Sequence, residues 1–402
     1  MKQALLNLTF LVIFSSCNSQ SSIPEPVSPS DDQKTLILGA ERIDSYLPLI
    51  KDLQIAILVN HTSRLGEKHL VDTLLDLGVS IKKVFAPEHG FRGAQEAGEL
   101  VESGVDPKTG LPIVSLYGSN KKPTADQLED IDLVLFDIQD VGVRFYTYIS
   151  TMHYLMEACA ENRKTMLILD RPNPNGDYIA GPILQKDQKS FVGMHPIPIV
   201  HGLTVGELAR MINGERWLTG KEPCHLELVP MKNYHHQLQY SLPVKPSPNL
   251  PTDQSIRLYP SLCLFEGSQI SIGRGTHFPF QALGHPSFAD SLFSFTPVSI
   301  PGMDQNPKYQ DEKCYGWDLR KVEAPQFTLR YLLKAYELYP DKSSFFREYF
   351  HLLAGNNLLM EQIKQGISEE EILASWDPEL DNYKQLRKKY LLYPETANDQ
   401  TK

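Results

Sequence analysis

The stretch Val84-Phe-Ala-Pro-Glu88-His89-Gly90-Phe91-Arg92-Gly93 decides how this chain is read. Val84 to Ala86 is a short apolar run that reads as the end of a strand, and Pro87 stops it. Gly90 and Gly93 permit a tight turn that β-branched residues would resist. Between the breaker and the first glycine stand one carboxylate, Glu88, and one imidazole, His89. An open α/β sheet keeps its chemistry at such strand ends. A lone Glu-His pair in a surface turn would be merely solvated, so the reason to read it as a site must come from the rest of the chain.

That reason is repetition. Apolar runs at 55–59, 81–86, 112–116, 133–136, 166–169 and 197–200 alternate with amphipathic stretches. The clearest of these is 146–162, where Tyr148, Met152, Leu155, Met156 and Cys159 make one apolar stripe at helical spacing. The stripe reads as core. Strand–helix alternation predicts an α/β fold with a doubly wound parallel sheet. The runs end in Asn60-His61-Thr62-Ser63, Glu88-His89, Tyr117-Gly118, Asp137-Ile138-Gln139-Asp140 and Asp170-Arg171-Pro172-Asn173. In a parallel sheet these ends share one edge, so the polar residues converge on one crevice.

Several chemistries lack their signatures. No G-x-G-x-x-G follows the first strand, and there is no phosphate-binding G-x-x-x-x-G-K-[ST], G-x-S-x-G elbow or H-E-x-x-H. His61, His89, His195, His201, His277 and His285 show no metal-ligand spacing. Neither a nucleotide cofactor nor a metal is expected. The 402 residues carry a net charge of −10, which argues against nucleic acid or an anionic membrane surface as partner. An anionic substrate would have to be met by locally placed arginines.

The first residues read as a targeting segment. Met1-Lys2, an apolar core from Ala4 to Phe14 and Ser15-Ser16-Cys17 resemble a bacterial lipoprotein signal over 1–17, with Cys17 as the lipidated residue. Phe14 stands where such signals usually carry Leu. Residues 18–34, rich in Ser and Pro, read as a flexible tether. No acidic cluster follows Cys17, which favours a periplasm-facing anchor, expected in the outer membrane. Cys159, Cys224, Cys263 and Cys314 are scattered and read as small core residues.

Thr204 to Gly214 reads as a helix capped by Thr204 and Glu207, and a domain boundary is placed soon after, dividing the chain into 35–216 and 217–402. The proline-rich run 244–252 excludes a regular element. In Leu264-Phe-Glu266-Gly-Ser-Gln-Ile-Ser-Ile-Gly-Arg274-Gly-Thr276 a second carboxylate and an arginine are bracketed by glycines. They read either as a structural ion pair or as part of a site. The charged helical tail 326–393 reads as scaffold, with Glu369-Glu370-Glu371 opening one helix.

Six ordered strings resemble the NamZ-type exo-β-N-acetylmuramidases. They are Ala86–Gly93, Asp137–Tyr148, Asp170–Gly176, His201–Glu207, Ser247–Thr252, and Leu264–Gly267 with Gly273–Thr276. The resemblance covers about 36–393 and implies a Rossmann-like N-terminal domain that binds no dinucleotide, a smaller C-terminal α/β domain and a cleft between them. It implies release of N-acetylmuramic acid from the non-reducing ends of peptidoglycan fragments, with no cofactor, and contact with the membrane only through the lipid anchor. A non-catalytic sugar-binding lipoprotein and an amidase or deacetylase of cell-wall sugars are the rival readings.

Glycoside hydrolysis needs an acid at the leaving oxygen and a second group at the anomeric carbon. Glu88 is expected as the acid, assisted by His89 or Tyr146. The second group is Glu266, Asp140 or the substrate's own 2-acetamido oxygen. Asn60, Arg92, Asp140, Arg144, Asp170, Arg171 and Arg274 are expected to contact substrate. Arg144 is the first choice for the lactyl carboxylate, because a planar guanidinium suits a carboxylate and a helix start lies beside it; Arg274 is the second.

Overall fold

Ile55, Ala56, Ile57, Leu58 and Val59 are all fully buried in the strand Gln54–Val59 (β1). A strand apolar on both faces belongs in the middle of a covered sheet. The computed structural model describes residues 35–92, 103–220, 222–289, 293–323 and 326–401, so Cys17, the tether and Gly93 lie outside it. β1 is the fourth strand of a seven-stranded sheet, with Ser80–Ala86 (β2), Gly104–Val105 (β3), Pro112–Ser115 (β4), Leu133–Asp137 (β5), Thr165–Leu169 (β6) and His225–Val229 (β7). The order is β3-β4-β2-β1-β5-β6-β7. Every pairing is parallel except the short edge pair of β3 with β4.

Alternation along the strands feeds two cores. Ala56, Leu58, Phe85, Val134 and Phe136 join the core under the helices Tyr148–Glu161 and Val205–Gly214. Ile55, Ile57, Val59, Val84 and Leu135 join the other, under Ile43–Ile50 and Leu70–Asp76. The sheet is therefore doubly wound, as the sequence pattern requires. Tyr148, Met152, Leu155, Met156 and Cys159 are all buried in the first core. The Thr204 capping box with Glu207 is formed.

One expected strand is absent. Residues 197–200 do not enter the sheet; Val200 makes only isolated bridges to Val143 and Ala180. The seventh strand is instead His225–Val229, paired with β6 from Thr165↔His225 to Leu169↔Val229. It lies beyond residue 216. Ile197, Ile199 and Val200 are apolar because they are core, and their backbone serves another partner.

That partner is Arg144. Its guanidinium donates from Nη1 to the carbonyls of Pro182 (2.6 Å) and Ile197 (2.9 Å), and from Nη2 to those of Leu353 (3.0 Å) and Ala354 (2.8 Å). Its own N–H donates to Ile199 O at 2.8 Å. Arg144 has no exposed surface, and burial pulls its pKa down to about 9. The expectation that Arg144 binds the substrate carboxylate is therefore corrected: every contact is internal, and a side chain without surface cannot reach a ligand.

Beyond the sheet, Thr252 caps the helix Asp253–Leu262 in a second capping box. The helix runs directly into a 3₁₀ turn, Cys263–Gly267, that carries Glu266. Ala282–His285, Phe293–Phe295 and Cys314–Asp318 form a separate antiparallel sheet with the last of these in the middle. Glu369–Ala374 starts where the acidic run stands, capped by Ser368.

Arg144→Met should keep the side chain's bulk yet strand four buried carbonyls. The expected loss is about 3–5 kcal/mol of stability, read from urea unfolding. A variant as stable as the parent would show that the four hydrogen bonds are replaceable.

Candidate active site

The turn after β2 aims Glu88. Gly90 N donates to Pro87 O at 2.9 Å, and both His89 (φ 68°) and Gly90 (φ 72°) adopt the left-handed region. For His89 that conformation is costly, by about 1 kcal/mol or more, and such strain gathers where a neighbour must be held in place. Glu88 is half-buried, and both its carboxylate oxygens are held. Tyr117 OH donates to Oε1 at 3.1 Å, and Thr147 Oγ1 donates to Oε2 at 2.7 Å.

Thr147 is the N-cap of the helix Tyr148–Glu161, yet its hydroxyl makes no cap hydrogen bond. It serves Glu88 instead, so the carboxylate stands at the positive end of a fourteen-residue helix. Burial and the Glu88 charge raise the Tyr117 pKa, which keeps that hydroxyl protonated and donating.

Aromatic rings link this edge to the second part of the chain. Tyr146 meets Tyr148 and Tyr259 edge-on, with centroids 5.0 and 5.9 Å apart, and Tyr259 meets Phe145 and Phe280. Tyr146 OH donates to Pro246 O at 2.8 Å, while Tyr148 OH lies 3.5 Å from Glu88 O. The helix bearing Tyr259 leads to Glu266, which takes Nε (3.1 Å) and Nη2 (2.5 Å) of Arg274 on one oxygen. Gly273 and Gly275, both left-handed, bracket that arginine.

Sequence reasoning missed Tyr349, which lies in the tail read as scaffold. The residue is 39% exposed, and burial of its hydroxyl, followed by nearby charges that include Glu266 and Glu88, raises its pKa. The backbone fixes it there. Arg347 N donates to Gly267 O at 2.8 Å, Gln269 N to Phe345 O at 3.0 Å, and a Cβ on Gly267 would sit 2.5 Å from Phe350 Cα. Its signal in the sequence is nothing more than one tyrosine among many.

Three other expected substrate contacts are engaged internally. Arg92 pairs with Asp106 (2.7 Å) and Asp72 (3.2 Å) and stacks on Phe91. Arg171 clamps Asp137 through Nε (2.5 Å) and Nη2 (2.8 Å), buried. Asp170 accepts from Thr204 Oγ1 (2.7 Å), Tyr393 OH (2.6 Å) and Gly206 N (2.9 Å), capping the helix Val205–Gly214. These corrections share a cause: Asp170 and Arg171 lie buried, and Arg92, itself part-exposed, serves the buried carboxylates of Asp106 and Asp72, where burial demands a partner.

Asn60 is fully buried, with Oδ1 accepting from Thr62 Oγ1 at 2.6 Å. Asp140 is 6% exposed; Oδ2 accepts from Gly142 N at 2.6 Å while Oδ1 is buried without a hydrogen-bond partner. Burial raises its pKa to about 7. His89 is buried beside His61. Glu88, Asn60, Asp140, Tyr146 and, through Tyr259, Glu266 thus gather around the aromatic links. Among the described residues no cluster of three His, Cys, Asp or Glu side chains is arranged for a metal ion. A cavity of about 600 Å³ lined by Glu157, Cys159, Leu218 and His225 lies at the opposite edge, where the strands begin, away from these residues.

Two sequence-family models match in order: the N-terminal domain of exo-beta-N-acetylmuramidase NamZ over 55–254 and its C-terminal domain over 257–393. The chain belongs to the NamZ family. The peptidoglycan beta-N-acetylmuramidase NamZ of Bacillus subtilis (strain 168) is 37% identical over 410 residues, spanning 96% of this chain and 98% of that protein. A crystal structure of a DUF1343 family protein from Bacteroides fragilis NCTC 9343 is similar at TM-score 0.85 and 46% identity, covering 90% of this chain and all of the other. A second from the same organism gives TM-score 0.77 and 30% identity, covering 89% and 99%. The N-terminal NamZ match takes in β7, and the C-terminal match contains Glu266, Arg274 and Tyr349.

Asp140 makes a measurable mark on stability. Unfolded, its carboxyl ionises at the ordinary 3.8; folded, it keeps its proton to about 7. Between those values the folded state binds the extra proton, so this group's contribution to stability falls as pH rises. Asp140→Asn removes the effect, and its advantage over the parent should grow from pH 4 to 8 by up to about 4 kcal/mol. Urea unfolding of both proteins at several pH values reads this. A pH-independent difference would mean that folded Asp140 ionises normally.

Proposed function

We propose that the chain is an exo-acting glycoside hydrolase that releases N-acetylmuramic acid from the non-reducing ends of peptidoglycan fragments. The observation that carries this reading is the pair of NamZ domain matches, with 37% identity to a peptidoglycan beta-N-acetylmuramidase across nearly the whole of both chains. The geometry agrees with it. A carboxylate pinned by two hydroxyls stands at a sheet edge, and its charge and that of Glu266 both act on the Tyr349 hydroxyl.

Glu88 protonates the leaving oxygen. Thr147 and Tyr117 fix the direction of its carboxyl, and the strained His89 backbone keeps it from swinging away. Glu266 takes the second role at the anomeric carbon, with the substrate's acetamido oxygen as the alternative. Asp140, nearly without surface, holds a proton beneath the site rather than touching sugar. The exposed Tyr349 ring offers a flat apolar face for a sugar.

A chromogenic β-N-acetylmuraminide tests the reaction directly. Chromophore release is expected from the parent, and its absence would return the chain to a sugar-binding role or to chemistry on another bond. Glu88→Gln should fold normally and lose on the order of 10² to 10⁴ in kcat, the usual worth of a general acid. Turnover near the parent's would remove Glu88 from the mechanism.

The cellular setting belongs to the same reading: a lipoprotein anchored through Cys17 in the cell envelope, facing the periplasm, where its substrate lies. Cys17→Ser should lose acyl labelling and move to the soluble fraction. A variant still processed and membrane-bound would disprove the anchor.

A further inference from the structure

A cavity of about 180 Å³ opens beside Glu266, lined by that residue with Ser271, Arg274, Asp304, Asn306 and Lys308. It has room for roughly six waters at about 30 Å³ each, or for a small acidic substituent. Its two cations are unevenly matched. Arg274 directs Nε and Nη2 to one oxygen of Glu266, and its Nη1 makes no hydrogen bond among the described residues. Among the described residues the hydrogen bonds of Lys308 all go to main-chain carbonyls, those of Phe265 (3.2 Å), Glu266 (3.4 Å) and Ser268 (2.5 Å). Among the described residues no carboxylate lies within salt-bridge distance of its ammonium.

Burial, and then the Arg347 charge, lower the Lys308 pKa to about 8, so it remains mainly a cation at neutral pH. The lining sets Arg274 and Lys308 against Glu266 and Asp304, two charges of each sign, and the Arg347 charge acts on Lys308 from outside it. In a chain of net charge −10 two cations on one wall are a local concentration of positive charge. A partly buried ammonium without a counterion, on the wall of a cavity, is a place for an anion.

We propose that Lys308 and Arg274 form a carboxylate-binding subsite beside Glu266, and that it reads the acid on the 3-O-ether of the terminal sugar. The choice of sugar rests on the function proposed above; the anion site itself does not. The carboxylate meets Nη1 of Arg274 and the ammonium of Lys308. A sugar without the acid leaves both charges uncompensated, which is discrimination by an unpaired charge. The acid also competes with Glu266 for Arg274, so the right substrate loosens the ion pair that restrains the second carboxylate.

The experiment measures binding by titration calorimetry, independently of turnover. The ligands are N-acetylmuramic acid, its methyl ester, N-acetylglucosamine and D-lactate. The parent should prefer the acid over the ester and over N-acetylglucosamine by about ten- to a hundredfold, as expected for a charge-assisted contact. Lys308→Met should collapse that preference to within a few-fold and leave ester binding as it was. Asn306→Asp, an exposed position on the cavity wall, should weaken acid binding alone and covers the case in which Lys308→Met fails to fold. An acid preference unchanged in either folded variant overturns the subsite, as does D-lactate binding as tightly as the sugar acid, which would mean a free-anion site. Failure of the parent to cleave the chromogenic glycoside, with acid preference intact, would sink the hydrolase reading and keep the subsite.

Discussion

The arrangement depends on a buried guanidinium that has no carboxylate partner among the described residues. Arg144 leaves the loop between β5 and the helix Tyr148–Glu161 and gathers carbonyls from Pro182, Ile197, Leu353 and Ala354. An arginine in that position must be desolvated at a high cost, and four charge-assisted hydrogen bonds offset it only if all four carbonyls stay in place. The side chain therefore works as a constraint. Gly355 shows how tight the fit is: it is left-handed (φ 81°), and a Cβ there would run into the guanidinium. The segment that Arg144 holds at Leu353 and Ala354 is strapped at Phe345 and Arg347 to Gln269 and Gly267, beside Glu266. Arg144 thus ties the loop after β5 to the segment that is strapped beside Glu266.

The site is built against local preference at two points. His89 takes a backbone conformation that suits glycine, and Thr147 gives up a helix cap. Each forfeits about 1 kcal/mol. Both losses serve the same group, because His89 follows Glu88 and the Thr147 hydroxyl goes to its carboxylate. A fold that only needed stability would place glycine at 89 and let Thr147 cap its helix, so the cluster of exceptions around one carboxylate is itself an argument for function.

Much of the frame was legible because its signals are local. The five apolar runs that end in polar residues are strands, since period and breakers are properties of neighbours in sequence. The run 197–200 is just as apolar yet makes no sheet, because periodicity does not distinguish a strand from buried irregular backbone. His225–Val229, alternating and half-exposed at the sheet edge, gave too weak a pattern to be found. Arg144 misled for a related reason. A helix start lies near it in sequence, whereas two of its four carbonyls come from more than 200 residues away. Tyr349 and Lys308 are ordinary residues in sequence; only the fold brings them to Glu266.

This divides labour in a way the sequence does not suggest. Charges at the strand ends look like ready-made substrate contacts, but a charge sunk in the edge of a covered sheet must be neutralised there. Asp137 takes Arg171, Asp106 takes Arg92, and Asp170 caps a helix. At that edge Glu88 keeps partial exposure, and Asp140 keeps one buried oxygen without a partner among the described residues. Selectivity for a particular sugar then needs charges that are neither buried in that edge nor fully paired. The glycine-bracketed loop of Arg274 and the carbonyl-held Lys308 meet that condition, on backbone outside the sheet. The same wall carries Glu266, so the charge that reads the ligand is tied through the Arg274 ion pair to the second carboxylate.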